Sequence, residues 1–220
     1  LIDDPQLAPG VLCGFINVTN DKNGRQSEEQ VVIKVAGEGR ELGRERHALA
    51  LLNAQTGCSA IEMFDSPAAG YLVLDRFDHD LRIVMHPDAP LAHRKVLVTQ
   101  LVDAVAFLHR HRVVHCDLKP GNVLLKRLPR GGFKLKLCDF DSAVDLRSAD
   151  VAVPHDGRLL KWSPGWVSAE VYNGAVGMPA TLQIDMFHVG LLMAALLLPE
   201  CHEDTTLLPL DDATLDALFN

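Results

Sequence analysis

The chain has 220 residues, 48% hydrophobic and 23% charged, enough apolar material for one large globular domain or two small ones and too much for a disordered chain. Its formal net charge of −8 argues against a nucleic-acid-binding surface, because phosphate contacts need clustered Lys and Arg. The most apolar run, 189–199, is far shorter than the ~20 residues of a membrane-spanning helix, and the acidic opening LIDDPQLAPG has no basic n-region of a signal peptide.

The chain opens on Leu1 rather than Met, so a fragment or processed piece is expected. Residues 11–36 read as strands and turns. DKNGRQSEEQ is a polar turn cluster, with Asn23-Gly24 as the hairpin signal, and 30–35 is a short β-branched run. The segment 40–53 reads as a helix whose apolar stripe, Leu42, Leu49 and Leu52, also carries Glu45. A turn at 67–70 leads into a second short strand, 71–74. From Leu91 to Arg112 the pattern is helical, with Val98, Leu101, Val102, Val105 and Leu108 on one face. Strands at 123–125 and 133–137 form a hairpin around LPRGG. Residues 141–165 have no sustained period, and a loop of that length inside a compact domain is usually functional or disordered. A last helix, 182–198, is apolar nearly all round and is expected to be buried, and 211–219 reads as one more short helix.

The five cysteines are scattered and form no C-x-x-C, so neither a zinc site nor a disulfide framework is expected, and a reducing intracellular compartment is. Most of the ten histidines read as surface or core residues.

The chemistry concentrates in HCDLKPGNVLL, 115–125, which places Asp117, Lys119 and Asn122 between a long helix and a strand. Asp139 comes after the next strand, in CDFD. Upstream, Lys34 closes the run VVIK, and Glu45 lies on the following helix. Carboxylate and amide oxygens are the ligands a hard ion such as Mg²⁺ prefers. Lys34 and Lys119 are point charges suited to phosphate oxygens. Phosphoryl transfer needs these parts: cations, a metal site, and a carboxylate near the attacking hydroxyl.

In this set the chain resembles a eukaryotic-type protein kinase domain from about residue 10 to about residue 198. HCDLKPGN is similar to the family's catalytic loop, VVIK to its Val-Ala-Ile-Lys strand and DFD to its Asp-Phe-Gly. SPGWVSAE, 163–170, is similar to the segment ending in Ala-Pro-Glu, and DMFHVGLLM, from Asp185, to the helix that anchors the large lobe. The resemblance implies an α+β, bilobal fold. A β-rich N-lobe with one helix would span 1–76 and a mainly helical C-lobe 77–220, with the family's last helices missing. It implies ATP and Mg²⁺ as cofactors and a protein substrate bearing a Ser or Thr hydroxyl.

By the same resemblance Lys34 would contact the α- and β-phosphates and pair with Glu45. Asp117 would accept or orient the substrate hydroxyl proton, and Lys119 would steady the γ-phosphate. Asn122 and Asp139 would hold Mg²⁺. Val32, Leu74, Asp75, Phe77 and Leu124 would line the ATP site, with Leu74 as gatekeeper and 75–77 as hinge. Phe140, His115 and Leu49 would stack as a spine, with Asp185 tethering the catalytic loop. Gly10 and Gly14 would represent the glycine-rich loop.

That loop is degenerate. Aligned on Gly14, the family's other glycine positions fall on Pro9 and Val11, although close phosphate approach favours glycine. Asp141 stands where the metal motif has Gly, Cys116 where the catalytic loop has Arg, Trp166 where Tyr is usual and Ala169 where Pro is usual. Two readings stay open: a Ser/Thr protein kinase, or a pseudokinase acting as a kinase-shaped binding module. A small-molecule kinase of the same superfamily is disfavoured by SPGWVSAE and Lys119. A cytoplasmic location is expected, with nuclear the alternative.

Overall fold

The computed structural model describes residues 10–19, 26–37, 42–64, 70–85, 89–147, 163, 166 and 180–198. The 211–219 helix and most of the 141–165 and SPGWVSAE segments lie outside these residues.

A four-stranded antiparallel sheet opens the chain: β1 (Val11–Thr19), β2 (Gln26–Val35), β3 (Met63–Phe64) and β4 (Tyr71–Asp75), in the order β1-β2-β4-β3. β1 and β2 form the expected hairpin, but the polar run QSEEQ belongs to β2 rather than to the turn. The one helix here, α1 (Gly43–Asn53), buries Glu45, Ala48, Leu49 and Leu52, the spacing of a single helical face. Leu42 is its capping residue and has no side-chain bond to offer the first turn.

The rest is organised by α2 (Leu91–Arg110) and α3 (Leu182–Leu197). They run antiparallel: Arg94 Nη1 lies 3.5 Å from the Leu196 carbonyl at one end, and His109 Nε2 lies 3.0 Å from Asp185 at the other. The buried face of α2 is Leu97, Leu101, Ala104, Val105 and Leu108. Leu101, Val105 and Leu108 are buried as predicted, and the stripe is corrected at its other two positions, since Val102 is 42% exposed and Val98 is only half-buried. Both stripes have helical period; contact with α3 on one side and the strands on the other selects the second.

β5 (His79–Asp80) comes just before α2, and β6 (Val113–Val114), β7 (Val123–Arg127), β8 (Phe133–Leu137) and β9 (Val144–Asp145) follow α2 in the chain, ahead of α3. β5-β7-β8 form one small sheet and β6-β9 another. The β7–β8 loop turns on Gly131 and Gly132, whose φ of 87° and 79° suit residues without a Cβ.

The expectation that α3 is buried all round is also corrected. Ile184, Asp185, His188, Val189, Leu192, Ala195 and Leu196 are buried, whereas Met186 is 56% exposed. Apolarity alone does not cover a helix; among the described residues α2 packs against one side only. No described helix is long and apolar enough to cross a membrane.

Candidate active site

The sheet and α1 present an ammonium to a carboxylate. Lys34, near the end of β2, donates to both oxygens of Glu45, Nζ lying 2.8 Å from Oε1 and 3.0 Å from Oε2. The same nitrogen lies 2.7 Å from Asp139 Oδ1, 105 residues away. The Glu45 side chain is 1% exposed and that of Lys34 15%. A carboxylate so buried needs a counter-charge, and Lys34 supplies it. Burial alone would depress the Lys34 ammonium; the two carboxylates more than reverse that, and its pKa is raised. Burial pushes Asp139 upward, but the charge and hydrogen bond of Lys34 outweigh it and hold the carboxyl below the usual range. The Phe140 N–H also reaches Glu45 Oε1, at 3.4 Å, so the helix and the DFD segment are joined through one side chain.

The loop between β6 and β7 is held from below. Asp185 of α3 accepts the backbone N–H of His115 (2.8 Å) and of Cys116 (2.9 Å). Two successive amides can face one carboxylate because Cys116 has φ 67°, a left-handed conformation uncommon for a residue with a side chain. His115 packs its ring on Phe140, 4.8 Å between centroids, and its Nε2 lies 2.9 Å from the Cys138 carbonyl. Leu49, fully buried, belongs to the same core as Phe140.

Burial would raise the Asp185 pKa; the His109 side chain and the two N–H groups overcome this and lower it. A depressed folded pKa gives stability that is complete above the unfolded value, about 4, and is lost as pH falls through the folded one. Asp185→Ala leaves two buried N–H groups unpaired, and a loss of roughly 2–5 kcal/mol is expected. In denaturant titrations, the gap between parent and variant should close as the pH is taken below about 4.

The loop then delivers the polar groups. Asp117, buried, accepts Lys119 Nζ at 2.7 Å, and that nitrogen also lies 2.6 Å from Ser163 Oγ. Asn122 Nδ2 donates to the Asp117 backbone carbonyl at 2.7 Å and to Oδ2 at 3.3 Å. The β7–β8 register sets Val123 opposite Leu137, and the Cys138 N–H donates to the Asn122 carbonyl at 3.0 Å. Asn122 and Asp139 are thereby brought to the same end of one hairpin. Asp139 has φ 64°, a second left-handed residue beside these groups. One carboxylate and one amide oxygen at a strand end form a donor set that suits a hard divalent ion shared with phosphate oxygens.

Val32 of β2 lies opposite Leu74 of β4, which is 1% exposed. Lys126 of β7 clamps the segment after β4 from outside, 3.2 Å from Asp75 Oδ1 and 5.5 Å from the Phe77 ring centre. Leu124 is half-buried on the same strand. The glycine positions differ from expectation. Gly14 is a ladder residue inside β1, opposite Val31, and Val11 is paired with Lys34. Only Gly10 turns, with φ 74°, its carbonyl accepting the Val35 N–H at 2.9 Å. The apolar run VLCGFINV favours an extended strand there, so 11–14 forms no phosphate-cradling turn.

Three contacts were not legible in the sequence. Ser163 opens the SPGWVSAE segment with no contact assigned to it, yet it shares Lys119 with Asp117. Lys126 lies just past the predicted strand 123–125, and nothing local marks its contact with Asp75. His47 of α1 lies 3.3 Å from Asp145 of β9, which also accepts Arg147 Nε at 3.0 Å. Cys116 and Cys138 add no reactive thiolate, because burial pushes both thiols up.

The model of the protein kinase domain matches residues 19–204. Serine/threonine-protein kinase D2 of rat, mouse and human is 28% identical over 179 residues, 78% of this chain and 19% of that protein. Carbon catabolite-derepressing protein kinase of Secale cereale is 35% identical over 123 residues, 54% of this chain and 20% of that protein. Cyclin-dependent kinase G1 of Arabidopsis thaliana is 33% identical over 131 residues, 58% of this chain and 20% of that protein. The chain thus spans a fifth or less of the length of these curated relatives. With most of its length matched, and with the matched segments converging on Lys34, Asp117 and Asp139, the chain belongs to the eukaryotic-type protein kinase domain family.

Proposed function

We propose that this chain is the catalytic domain of a protein kinase that transfers the γ-phosphate of ATP to a Ser or Thr hydroxyl. The observation that carries the reading is the bond of one lysine, Lys34, to both Glu45 and Asp139. It joins sheet, helix and metal-motif loop in the arrangement phosphoryl transfer requires. The lobes would divide between residues 76 and 77, with adenine against Val32, Leu74 and Leu124 and the backbone of 75–77. Asn122 and Asp139 would hold Mg²⁺, which supplies charge neutralisation at the phosphates when bound.

In this reading Lys34 orients the α- and β-phosphates, and Glu45 fixes Lys34. Asp117 accepts the hydrogen bond of the incoming hydroxyl and would take its proton as the oxygen bonds to the γ-phosphorus and the bond to the β–γ bridging oxygen breaks, ADP carrying that electron pair away. Lys119, held between Asp117 and Ser163, steadies the transferred group and keeps the carboxylate in place. Ser/Thr direction is supported by Lys119 in DLKP and by the relatives' printed names.

A second reading, a kinase-shaped binding module with little or no transfer, is favoured by one observation: residues 11–14 are strand rather than glycine turn. A thermal melt with ATP, with and without Mg²⁺, separates the two. Ligand at 100 times Kd stabilises the fold by about 2.7 kcal/mol, a rise of roughly 5–11 °C for a domain of this size. A kinase gives a Mg²⁺-dependent rise that Asp139→Asn abolishes. No rise in a folded sample overturns the catalytic reading.

A further inference from the structure

The side chains of the hinge, 75–77, are tied to both lobes. Asp75 and Phe77 share one partner below, Lys126 of β7, which lies 3.2 Å from Asp75 Oδ1 and 5.5 Å from the Phe77 ring centre. Arg76, between them, reaches the other way. Its Nη1 lies 3.1 Å from Cys13 Sγ, on β1. A thiol sulfur is a weak acceptor, and the charge of the guanidinium strengthens the contact.

The strand register shows where this contact lies. Residues opposite one another in a ladder share a face, and every second residue along a strand returns to it. Cys13 is opposite Val32, and Val32 is opposite Leu74. Two residues along β2, Lys34 is opposite Val11. Cys13, Val32, Leu74 and Lys34 therefore share one face of the sheet, the face on which Lys34 meets Glu45 and Asp139. Cys13 continues the row of Val32 and Leu74 onto the edge strand.

Exposure along that row is uneven. Val32, in the middle, is half-buried, yet Cys13, on the edge strand, is only 3% exposed. An edge position is covered more completely than its inner neighbour when another group lies over it, and the Arg76 guanidinium is in that position. Arg76 is itself half-buried, so its side chain lies along the protein rather than out in water.

We propose that Arg76 is a latch on the base end of the nucleotide cleft. Bonded to Cys13, its side chain closes the space between Val32 above and Leu124 below, and a nucleotide base enters only when the guanidinium swings out. In this role, which rests on the nucleotide site proposed above, Arg76 sets affinity rather than chemistry. A site that is open in only a fraction of the molecules binds its ligand more weakly by that fraction. Nucleotide binding by this chain is then held down by one side-chain contact that a substitution can release.

Two substitutions break the contact from opposite ends, Arg76→Ala and Cys13→Ala, and a melt without nucleotide checks that each variant is folded. Titration calorimetry of the full chain with ATP and Mg²⁺ should give a Kd several-fold lower in both variants than in the parent. Without nucleotide, iodoacetamide should alkylate Cys13 several-fold faster in Arg76→Ala than in the parent, as read by peptide mapping, and ATP with Mg²⁺ should slow it again. Equal alkylation of Cys13 in parent and Arg76→Ala would overturn the latch. So would a Kd unchanged in both variants, or one raised in Arg76→Ala, the mark of a guanidinium that stacks on the base instead. In each of these cases the parent still binds ATP and the nucleotide reading stands. No binding by the parent or either variant, with Cys13 alkylation accelerated, would remove the nucleotide reading and the latch together.

Discussion

Replacing Asp117 with Asn is expected to lower phosphate transfer by about 10²–10⁴-fold, the usual contribution of a positioned proton acceptor. Asn has nearly the same shape and its oxygen can still accept from Lys119, now at 2.7 Å from Asp117 Oδ2. What it lacks is the negative charge and the ability to take the hydroxyl proton. Each tenfold loss corresponds to about 1.4 kcal/mol of transition-state stabilisation, whereas the ground-state fold keeps its Asp185 tether and its His115–Phe140 packing. The melting temperature should therefore change by only a few degrees, and ATP-dependent stabilisation should persist. Initial rates with a Ser/Thr peptide mixture and a melt on the same preparation make the check. A variant that transfers phosphate within about threefold of the parent rate would remove Asp117 from the mechanism, given the ~10²-fold minimum expected of such a group.

Lys34→Met should produce the larger structural effect, because one ammonium on β2 neutralises two carboxylates, one from α1 and one from the DFD segment. Removing one member of a buried ion pair typically costs about 3–5 kcal/mol. Asp139 is 35% exposed on its side chain, so water offsets part of this and about 2–3 kcal/mol is expected. Glu45, 1% exposed, has no such relief and would be driven to bind a proton. The pH dependence then has a definite sign. Burial already raises Glu45 in the parent, with Lys34 holding the rise back; losing Lys34 raises it further, so the added penalty is absent near the unfolded value, about 4.3, and grows as the pH passes the parent's folded pKa toward the variant's. The stability gap between parent and variant should be small near pH 4 and widen toward pH 8, as read by denaturant titration. A gap independent of pH would mean that Glu45 is not the group left exposed to the loss. Transfer should fall at least ~10²-fold, as for removal of one preorganised electrostatic contact.

Much of the fold was legible in the sequence. α1 and α2, the β7–β8 hairpin and its LPRGG loop, and α3 were placed by hydrophobic period and turn residues, with boundaries off by a few residues. These are local properties: a 3.6-residue repeat, or a glycine pair at a turn, is written within one element. The matched faces were less secure. Val98 and Val102 satisfy the period of α2 as well as Leu97 and Ala104 do, and only the neighbours α3, β6 and β8 decide which stripe is covered. Gly14 shows the same limit, since a glycine in an apolar run is compatible with turn or ladder, and pairing with Val31 settles it.

The sequence by itself determined the kinase family, through the order and spacing of the segments around Lys34, Asp117 and Asp139, and it put those residues forward as candidates for the site. The resemblance already paired Lys34 with Glu45 and tethered the loop by Asp185; only the tertiary structure decided the rest of how the charges are neutralised, with Lys34 also shared with Asp139, Lys119 between Asp117 and Ser163, both Asp185 oxygens on consecutive amides, and Lys126 against Asp75. The physical reason is that each of these arrangements includes a partner 44 to 105 residues away, from Lys119–Ser163 through Lys126–Asp75 and His115–Asp185 to Lys34–Asp139. No local pattern encodes a partner at that range. It is fixed by which elements pack together and by the cost of leaving a buried charge unpaired.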